Sequence, residues 1–354
     1  MRQQSFALLG TGLVAPFHAQ AIANSNKCNL VAVADVNEER RNAFAEEYGC
    51  KAYTGLDDIL SDDTIDIVNV LTPNHLHFEA VQQIADSGKH ILVEKPPAMS
   101  LHEVDEMIRV TNENGVKLGI VLQCRVRPAI QVLRKAISQN RFGKVLQADA
   151  YMKWFRSSEY YHRDPWRSSR KSGAGVTIQH AFHYLDLLCY LAGPVENVYA
   201  RMKNMAHPDV ELEDSLVAFL DFKNGAQGVV EASTALWPGT DIRIELNGTD
   251  GTAIIVGERI AAWDFRTKLD EDDEIRKIGS AEVATAATGP ADFSYGDHQI
   301  VIEDMVDAIN DDRDPVIPAI STRDTLEAAL AMYQSARKKC AIHLPLQDEN
   351  SVWD

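Results

Sequence analysis

In the first third of the chain, short apolar runs alternate with longer mixed ones. Residues 5–9, 30–35, 67–71, 90–93 and 117–122 are runs of four to six mostly apolar residues, as in LVAVAD and KLGIVL. Such runs suit strands buried on both faces. The stretches between them, a segment following Pro16 and residues 37–48, 75–87 and 101–114, carry the mixed pattern of helices with one buried face. Strands alternating with helices of this length predict a doubly wound parallel sheet.

After Gln123 the texture changes. Residues 145–154, 195–203, 215–222, 227–234 and 241–246 read as longer strands, several joined by Asn224-Gly225, Asn247-Gly248 and Asp250-Gly251. Gly-containing pairs of this kind favour tight turns between antiparallel neighbours. Two amphipathic helices close the pattern. Ile302, Met305, Val306 and Ile309 form one stripe and Leu326, Leu330 and Tyr333 the other, the latter introduced by Ser321-x-x-Asp324 as a capping box. The prediction is an α/β chain of two domains: residues 1–123 with the parallel sheet, and residues 124–354 as an α+β domain with a large, mainly antiparallel sheet.

The 354 residues suffice for two domains with real cores. Lys and Arg number 35 against 52 Asp and Glu, a net charge of −17, and nothing basic matches the acidic run Asp270–Glu274. Such a balance argues against a nucleic-acid partner, and the run itself reads as a solvated loop. Five scattered cysteines without C-x-x-C spacing read as buried free thiols. The weakly charged start of the chain is broken by Gly10, Gly12 and Pro16, against a signal peptide, and by Thr11, His18 and Gln20, against a membrane span. A cytoplasmic protein is expected.

The first chemical motif is Gly10-Thr11-Gly12-Leu13-Val14-Ala15. Gly10 permits a tight turn, Gly12 leaves bare backbone where a pyrophosphate can approach, and Ala15 lets the following helix pack close. The motif follows a strand, opens a helix, and is trailed by Asp35, 23 residues past Gly12. These are the contexts a dinucleotide site requires. Asp35 would accept from a ribose diol and repel a 2′-phosphate, so NAD is expected over NADP. Arg40 and Arg41 read as a solvated helix face that leaves NADP open.

Glu94-Lys95-Pro96-Pro97 follows a strand at its carboxyl end, where open α/β sheets bind ligands. Lys95 there either donates to a substrate hydroxyl or simply pairs with Glu94; chemistry alone leaves both open. Farther on, Gly173-Ala174-Gly175 leads into a helix with Gln179 and His183 one turn apart and Asp186 beyond. His183 is a candidate general base with Asp186 as one group to orient it, or else a satisfied helix histidine. His180 and His183 alone do not make a metal site, and no metal is expected. Tyr160-Tyr161-His162-Arg163-Asp164-Pro165-Trp166-Arg167 offers aromatic faces and a guanidinium, either for a sugar or as a packed turn.

Together, G-T-G-L-V-A, A-D, T-P-N-H-L-H, E-K-P and G-A-G-V-T-I-Q-H-A-F-H-Y-L-D resemble the Gfo/Idh/MocA family, in order and spacing, over nearly the whole chain. The resemblance implies a Rossmann domain followed by a sheet domain that often mediates oligomerisation, here a homodimer or homotetramer. It implies hydride transfer between a sugar or polyol carbon and nicotinamide. Lys95 matches the family's catalytic lysine and His183 its proton-handling histidine. Gly10, Thr11, Gly12, Leu13, Val14, Asp35, Thr72, Asn74, His77, Glu94 and Lys95 are the expected cofactor contacts. Gln179, Tyr161, Trp166 and Arg167 are the expected substrate contacts. Gln179 stands where the family often has Asp, which puts a side-chain proton relay at that position in doubt. The expected function is an NAD-dependent pyranose or polyol dehydrogenase. Alternatives are a UDP-sugar or glycoside 3-oxidase that recycles its cofactor, with Arg163, Arg170 and Lys171 available to a phosphate, and a non-catalytic NAD/sugar-binding regulator.

Overall fold

The computed structural model describes residues 3–173, 175–279, 287, 294–349 and 352–353. Ala174, inside the second glycine motif, lies outside them. Through residue 123 the elements are β1 (Gln4–Leu9), α1 (Ala15–Ala23), β2 (Cys28–Ala34), α2 (Glu38–Tyr48), β3 (Lys51–Tyr53), α3 (Leu56–Leu60), β4 (Ile67–Val70), α4 (His77–Asp86), β5 (His90–Glu94), α5 (Leu101–Glu113) and β6 (Leu118–Val121). Then come α6 (Pro128–Ser138), β7 (Val145–Lys153), α7 (Ser158–His162), a π-helical turn (Thr177–Ala181) and α8 (Phe182–Ala192). They are followed by β8 (Val195–Lys203), β9 (Ser215–Phe222), β10 (Gln227–Ser233), β11 (Arg243–Gly248), β12 (Gly251–Val256) and β13 (Arg259–Phe265). The described chain closes with α9 (Asp272–Ile275), α10 (Gly296–Asn310), α11 (Ile320–Lys338) and β14 (Ile342–His343).

The chain divides into two compact units, residues 1–123 with 294–323 and residues 124–293 with 324–354. In the first, six parallel strands run in the order β3-β2-β1-β4-β5-β6. The order reverses between β1 and β4, and the carboxyl ends of the strands there form the crevice that binds ligands in such sheets. Phe6, Leu8, Ile67, Val68, Ile91 and Val93 are fully buried, which is why these strands read as unbroken apolar runs.

Residues 294–323 differ from the expected division, which assigned them to the second domain. Val301, Ile302, Met305 and Val306 of α10 are buried, and the helix packs on α1. Farther on, Ile120 donates its N–H to the Ile317 carbonyl at 2.9 Å. The returning segment thus satisfies the open edge of β6, which would otherwise present unpaired backbone groups.

In the second unit, eight strands run in the order β13-β12-β11-β7-β10-β9-β8-β14. Every neighbouring pair is antiparallel except β7 with β10. Leu216, Ala218, Leu220 and Phe222 of β9 are buried on one face of the sheet, while Val217 and Phe219 face outward on the other.

Several expectations are corrected in detail. Helix α11 begins at Ile320, before the Ser321 read as its cap; the capping box that forms is Ser100 with Glu103, at α5. The acidic run is not merely a solvated loop. Asp272 is buried and accepts from Arg141 at 2.7 and 2.8 Å and from Trp263 Nε1 at 2.8 Å. All five thiols are free, but only Cys28 and Cys124 are buried; Cys50 and Cys189 are half-buried and Cys340 is exposed. Among the described residues no helix is long and apolar enough to cross a membrane.

Candidate functional site

At the carboxyl end of β1 the chain turns at Gly10, whose φ is 109° and whose N–H donates to the Ala34 carbonyl at 2.7 Å. A Cβ there would lie 2.8 Å from the Leu71 carbonyl oxygen, so the position requires glycine. Gly12 is different: a Cβ would meet nothing within 4 Å. The space beside its backbone is open, Leu13 and Val14 line the turn partly exposed, and Ala15 is fully buried where α1 begins.

Asp35 sits just past β2. Its Oδ2 accepts from the Thr11 N–H at 2.9 Å and hydroxyl at 2.8 Å, and its Oδ1 from the Asn37 N–H at 2.8 Å. Burial pushes its carboxyl up, but the N–H groups of Asn37 and Thr11, the Thr11 hydroxyl and nearby Arg40 outweigh it and hold it below the usual range. Arg40 and Arg41 are not simply a solvated face. Arg40 approaches Asp35 Oδ1 at 3.5 Å, and Arg41 donates to the Asp35 carbonyl at 2.9 Å. Arg40 is drawn toward the Asp35 carboxylate and Arg41 toward its backbone carbonyl.

The loop after β4 carries Thr72, Asn74 and His77. The Thr72 hydroxyl is buried without a hydrogen-bond partner, and Asn74 is buried. His77 spans the Thr72 and Pro96 carbonyls at 2.9 Å each. Burial pulls its pKa below the ordinary value, so the neutral ring donates to one carbonyl at a time and ties this loop to the Lys95 turn. Lys95 is half-buried directly after β5. Glu94 faces inward: Oε1 lies 3.0 Å from His18 Nε2, and Oε2 accepts the Lys95 N–H at 3.2 Å.

These residues fit a dinucleotide. The open approach at Gly12, the helix start behind it, the unpartnered Thr72 hydroxyl and the fixed Asp35 carboxylate supply the contacts that pyrophosphate and ribose need.

In the second unit, the turn Thr177–Ala181 is a π-helix, which the sequence did not signal. Single π turns are frequent at functional sites. Its start is held by buried Glu213, whose Oε1 accepts from the Thr177 N–H at 2.9 Å, the Thr177 hydroxyl at 2.7 Å and the Tyr333 hydroxyl at 2.9 Å. Burial raises the Glu213 carboxyl, and these hydrogen bonds only partly offset it. A Cβ on Gly175 would run into the Glu213 carboxylate, which explains the second glycine. Gln179 and His183 are partly exposed, whereas His180 is buried among Trp154 and Tyr160. Asp186 does not serve as the group that orients His183. It is buried and held by Arg125 at 2.7 and 2.5 Å and by Thr325 at 3.0 Å.

Among the expected sugar contacts, Trp166 is partly exposed. Arg167 is buried, with its guanidinium 4.6 Å from the Trp166 ring centre and 4.9 Å from that of Tyr160. Tyr161 is core: its hydroxyl pairs with Thr234 at 2.7 Å and its ring lies against His207. Besides Trp166, Arg167 meets Tyr160, whose hydroxyl accepts from its Nη1 at 3.0 Å and which the expected contact set had left out.

Fold and site define an oxidoreductase built on an NAD-binding Rossmann fold. Residues 4–121 match the model of an oxidoreductase family with that fold, and residues 130–254 match the GFO/IDH/MocA C-terminal domain. The chain belongs to the Gfo/Idh/MocA family. It is 30% identical to the myo-inositol 2-dehydrogenase of Thermotoga maritima over 69% of this chain and 72% of that one. It is 29% identical to the inositol 2-dehydrogenase of Rhizobium meliloti over 74% and 78%. Among solved structures, the WlbA dehydrogenase of Bordetella pertussis, in complex with NADH and UDP-GlcNAcA, superposes with a TM-score of 0.86 at 29% identity, covering 98% of this chain and 100% of that one.

Proposed function

We propose that the protein oxidises a ring carbinol of a sugar or cyclic polyol with NAD, and that Lys95 and His183 handle the hydroxyl proton. NAD, when bound, supplies the nicotinamide carbon that accepts the hydride. Lys95 donates to the reacting oxygen and stabilises the negative charge that develops on it. His183 accepts the hydroxyl proton at a ring nitrogen. Gln179, one turn earlier, hydrogen-bonds a neighbouring hydroxyl but cannot carry a proton onward. Trp166 offers an apolar face to the ring, held from behind by the stacked Arg167 guanidinium.

The observation that carries this reading is the placement of Lys95. It leaves the carboxyl end of β5 beside the crevice, while Glu94 turns inward onto His18. The test is Lys95→Ala. Turnover should fall by about 10²–10⁴-fold, with NADH still bound, as read by its fluorescence. A non-catalytic regulator would lose nothing measurable.

A nucleotide-linked sugar is the second reading, supported by the likeness to WlbA across the whole chain. Of the basic residues once grouped for a phosphate, Arg170 is engaged with Glu211 through its backbone N–H at 2.7 Å and its guanidinium at 2.9 Å, while Arg163 and Lys171 are exposed. A substrate panel with free and UDP-linked sugars separates the two readings. The outward, partly apolar face of the second sheet supports a homo-oligomer formed through it, and the five free thiols fit a reducing cytoplasm.

A further inference from the structure

Behind the Lys95 turn, Glu94, expected as a cofactor contact, is instead buried in a cluster of side chains of the first unit. His18 on α1, Asn69 on β4, Glu94 at the end of β5 and His298 on the first turn of α10 are all nine-tenths or more buried. Asn69 Nδ2 donates to His18 Nδ1 at 3.0 Å. That contact leaves the ring proton on Nε2, which donates to Glu94 Oε1 at 3.0 Å. His298 Nε2 lies 3.9 Å from the same oxygen. Its ring stacks on Phe17 at 5.8 Å and meets His18 edge-on at 5.1 Å.

These three ligand-type side chains bring one atom each within 4.8 Å of one another. The tautomer that Asn69 imposes puts a proton, not a lone pair, between His18 and Glu94, so the arrangement is a hydrogen-bonded one. A buried carboxylate is costly unless it is paired. Here burial pushes the Glu94 carboxyl up, but the His18 hydrogen bond and the fields of His18, His298 and Lys95 together hold it down at about 2. The ionised group spends its other oxygen on the Lys95 N–H. Elements up to 280 residues apart thus converge on one carboxylate, and that carboxylate holds the main chain of Lys95.

We infer that His18 and His298 are positioning residues that act through Glu94 to fix the Lys95 backbone, and with it the Lys95 ammonium, for hydride transfer. The inference rests on the reading of Lys95 given above. A shift of about 1 Å in a positioned group can cost on the order of 10²-fold in rate, so small movements of Glu94 would be felt at Lys95.

The test compares His298→Leu, which removes the ring nitrogens, with His298→Gln, which restores an N–H. It measures kcat, KM, NADH affinity and thermal stability on the full chain. His298→Leu should lower kcat about 10–100-fold, with KM and NADH affinity within about twofold of wild type, and His298→Gln should recover most of the loss. Should His298→Leu fail to fold, Phe17→Leu takes its place: it loosens the His298 ring, leaves every polar atom in place, and should lower kcat several-fold. Stability lost with kcat unchanged would make the cluster structural and overturn the inference while Lys95 keeps its role. A wild type that transfers no hydride to NAD from any sugar or polyol would overturn both.

Discussion

Gly10 and Gly12 make opposite demands, and single substitutions separate them. Gly10→Ala must hold a Cβ at positive φ against the Leu71 carbonyl, so urea unfolding should show a loss of about 1–3 kcal/mol. Gly12→Ala meets open space. It should leave stability within about 0.5 kcal/mol yet weaken NADH binding at least tenfold, by filling the place of the pyrophosphate. A second residue-scale prediction concerns His207 and Asp214, 3.0 Å apart. Burial opposes ionisation of Asp214, but His207 and the N–H groups of Met205 and Ala206 hold its carboxyl down at about 2. The Asp214 hydrogen bond raises His207 above its ordinary 6.5. The Asp214 contribution is therefore complete above about pH 4 and lost as pH falls toward 2. That of His207 is complete below pH 6.5 and lost as pH rises through its raised value. Asp214→Asn should cost about 2 kcal/mol between pH 4 and 6.5 and almost nothing at pH 2. Gly10, Asp35, Glu94 and Lys95 were legible in the sequence because they stand at a turn or a strand end. The grouping of Glu94 with His18 and His298 was not, because no spacing links residues 18, 94 and 298.

Elements differ in how much of themselves they write into sequence. The strands of the first sheet were plain, because burial on both faces leaves only apolar residues. The short β3, and β12 with β13, escaped the reading; β3 exposes two of its three residues. Asp272 looked like one more acid in a run until Arg141, distant in sequence, and Trp263 on β13 gave it partners. The π-helical turn was invisible for the same reason: Glu213 and Tyr333, which anchor it, lie far along the chain. Its role can be tested. Gly175→Ala drives a methyl into the Glu213 carboxylate and should lower kcat with little change in stability of the parallel-sheet unit. Adding Glu213→Ala frees the space but leaves the Thr177 and Tyr333 donors unpaired, so neither kcat nor the stability of the second unit should return to wild type. Differential scanning calorimetry with steady-state kinetics on the single and double variants checks both.

At the scale of the whole molecule, two properties stand out: strong acidity and a partly apolar outer sheet face. The acidity fits small-molecule rather than nucleic-acid partners. On the outer face, Val217 and Phe219 of a central strand are 45% and 59% exposed, and apolar groups so placed favour association with a second copy. If the sheet mediates assembly, Phe219→Asp should reduce the mass measured by light scattering to that of one chain, with NADH affinity retained; an unchanged mass would place the interface elsewhere. Fold class and family were readable from sequence because strand–helix alternation and the spaced motifs span most of the chain. The return of residues 294–323 to the first unit was not, since an amphipathic stripe shows that a helix packs but not against what. The claim on which everything turns is hydride transfer from a sugar or polyol to NAD. It is tested most directly by absorbance at about 340 nm, where reduced nicotinamide absorbs, with enzyme and NAD at equal concentration and a panel of sugars, polyols and UDP-sugars. A rise with one ligand class, abolished in Lys95→Ala, is the predicted result. No rise with any ligand, and no fall when NADH meets the matching ketosugars, although cofactor binding is intact, would contradict it.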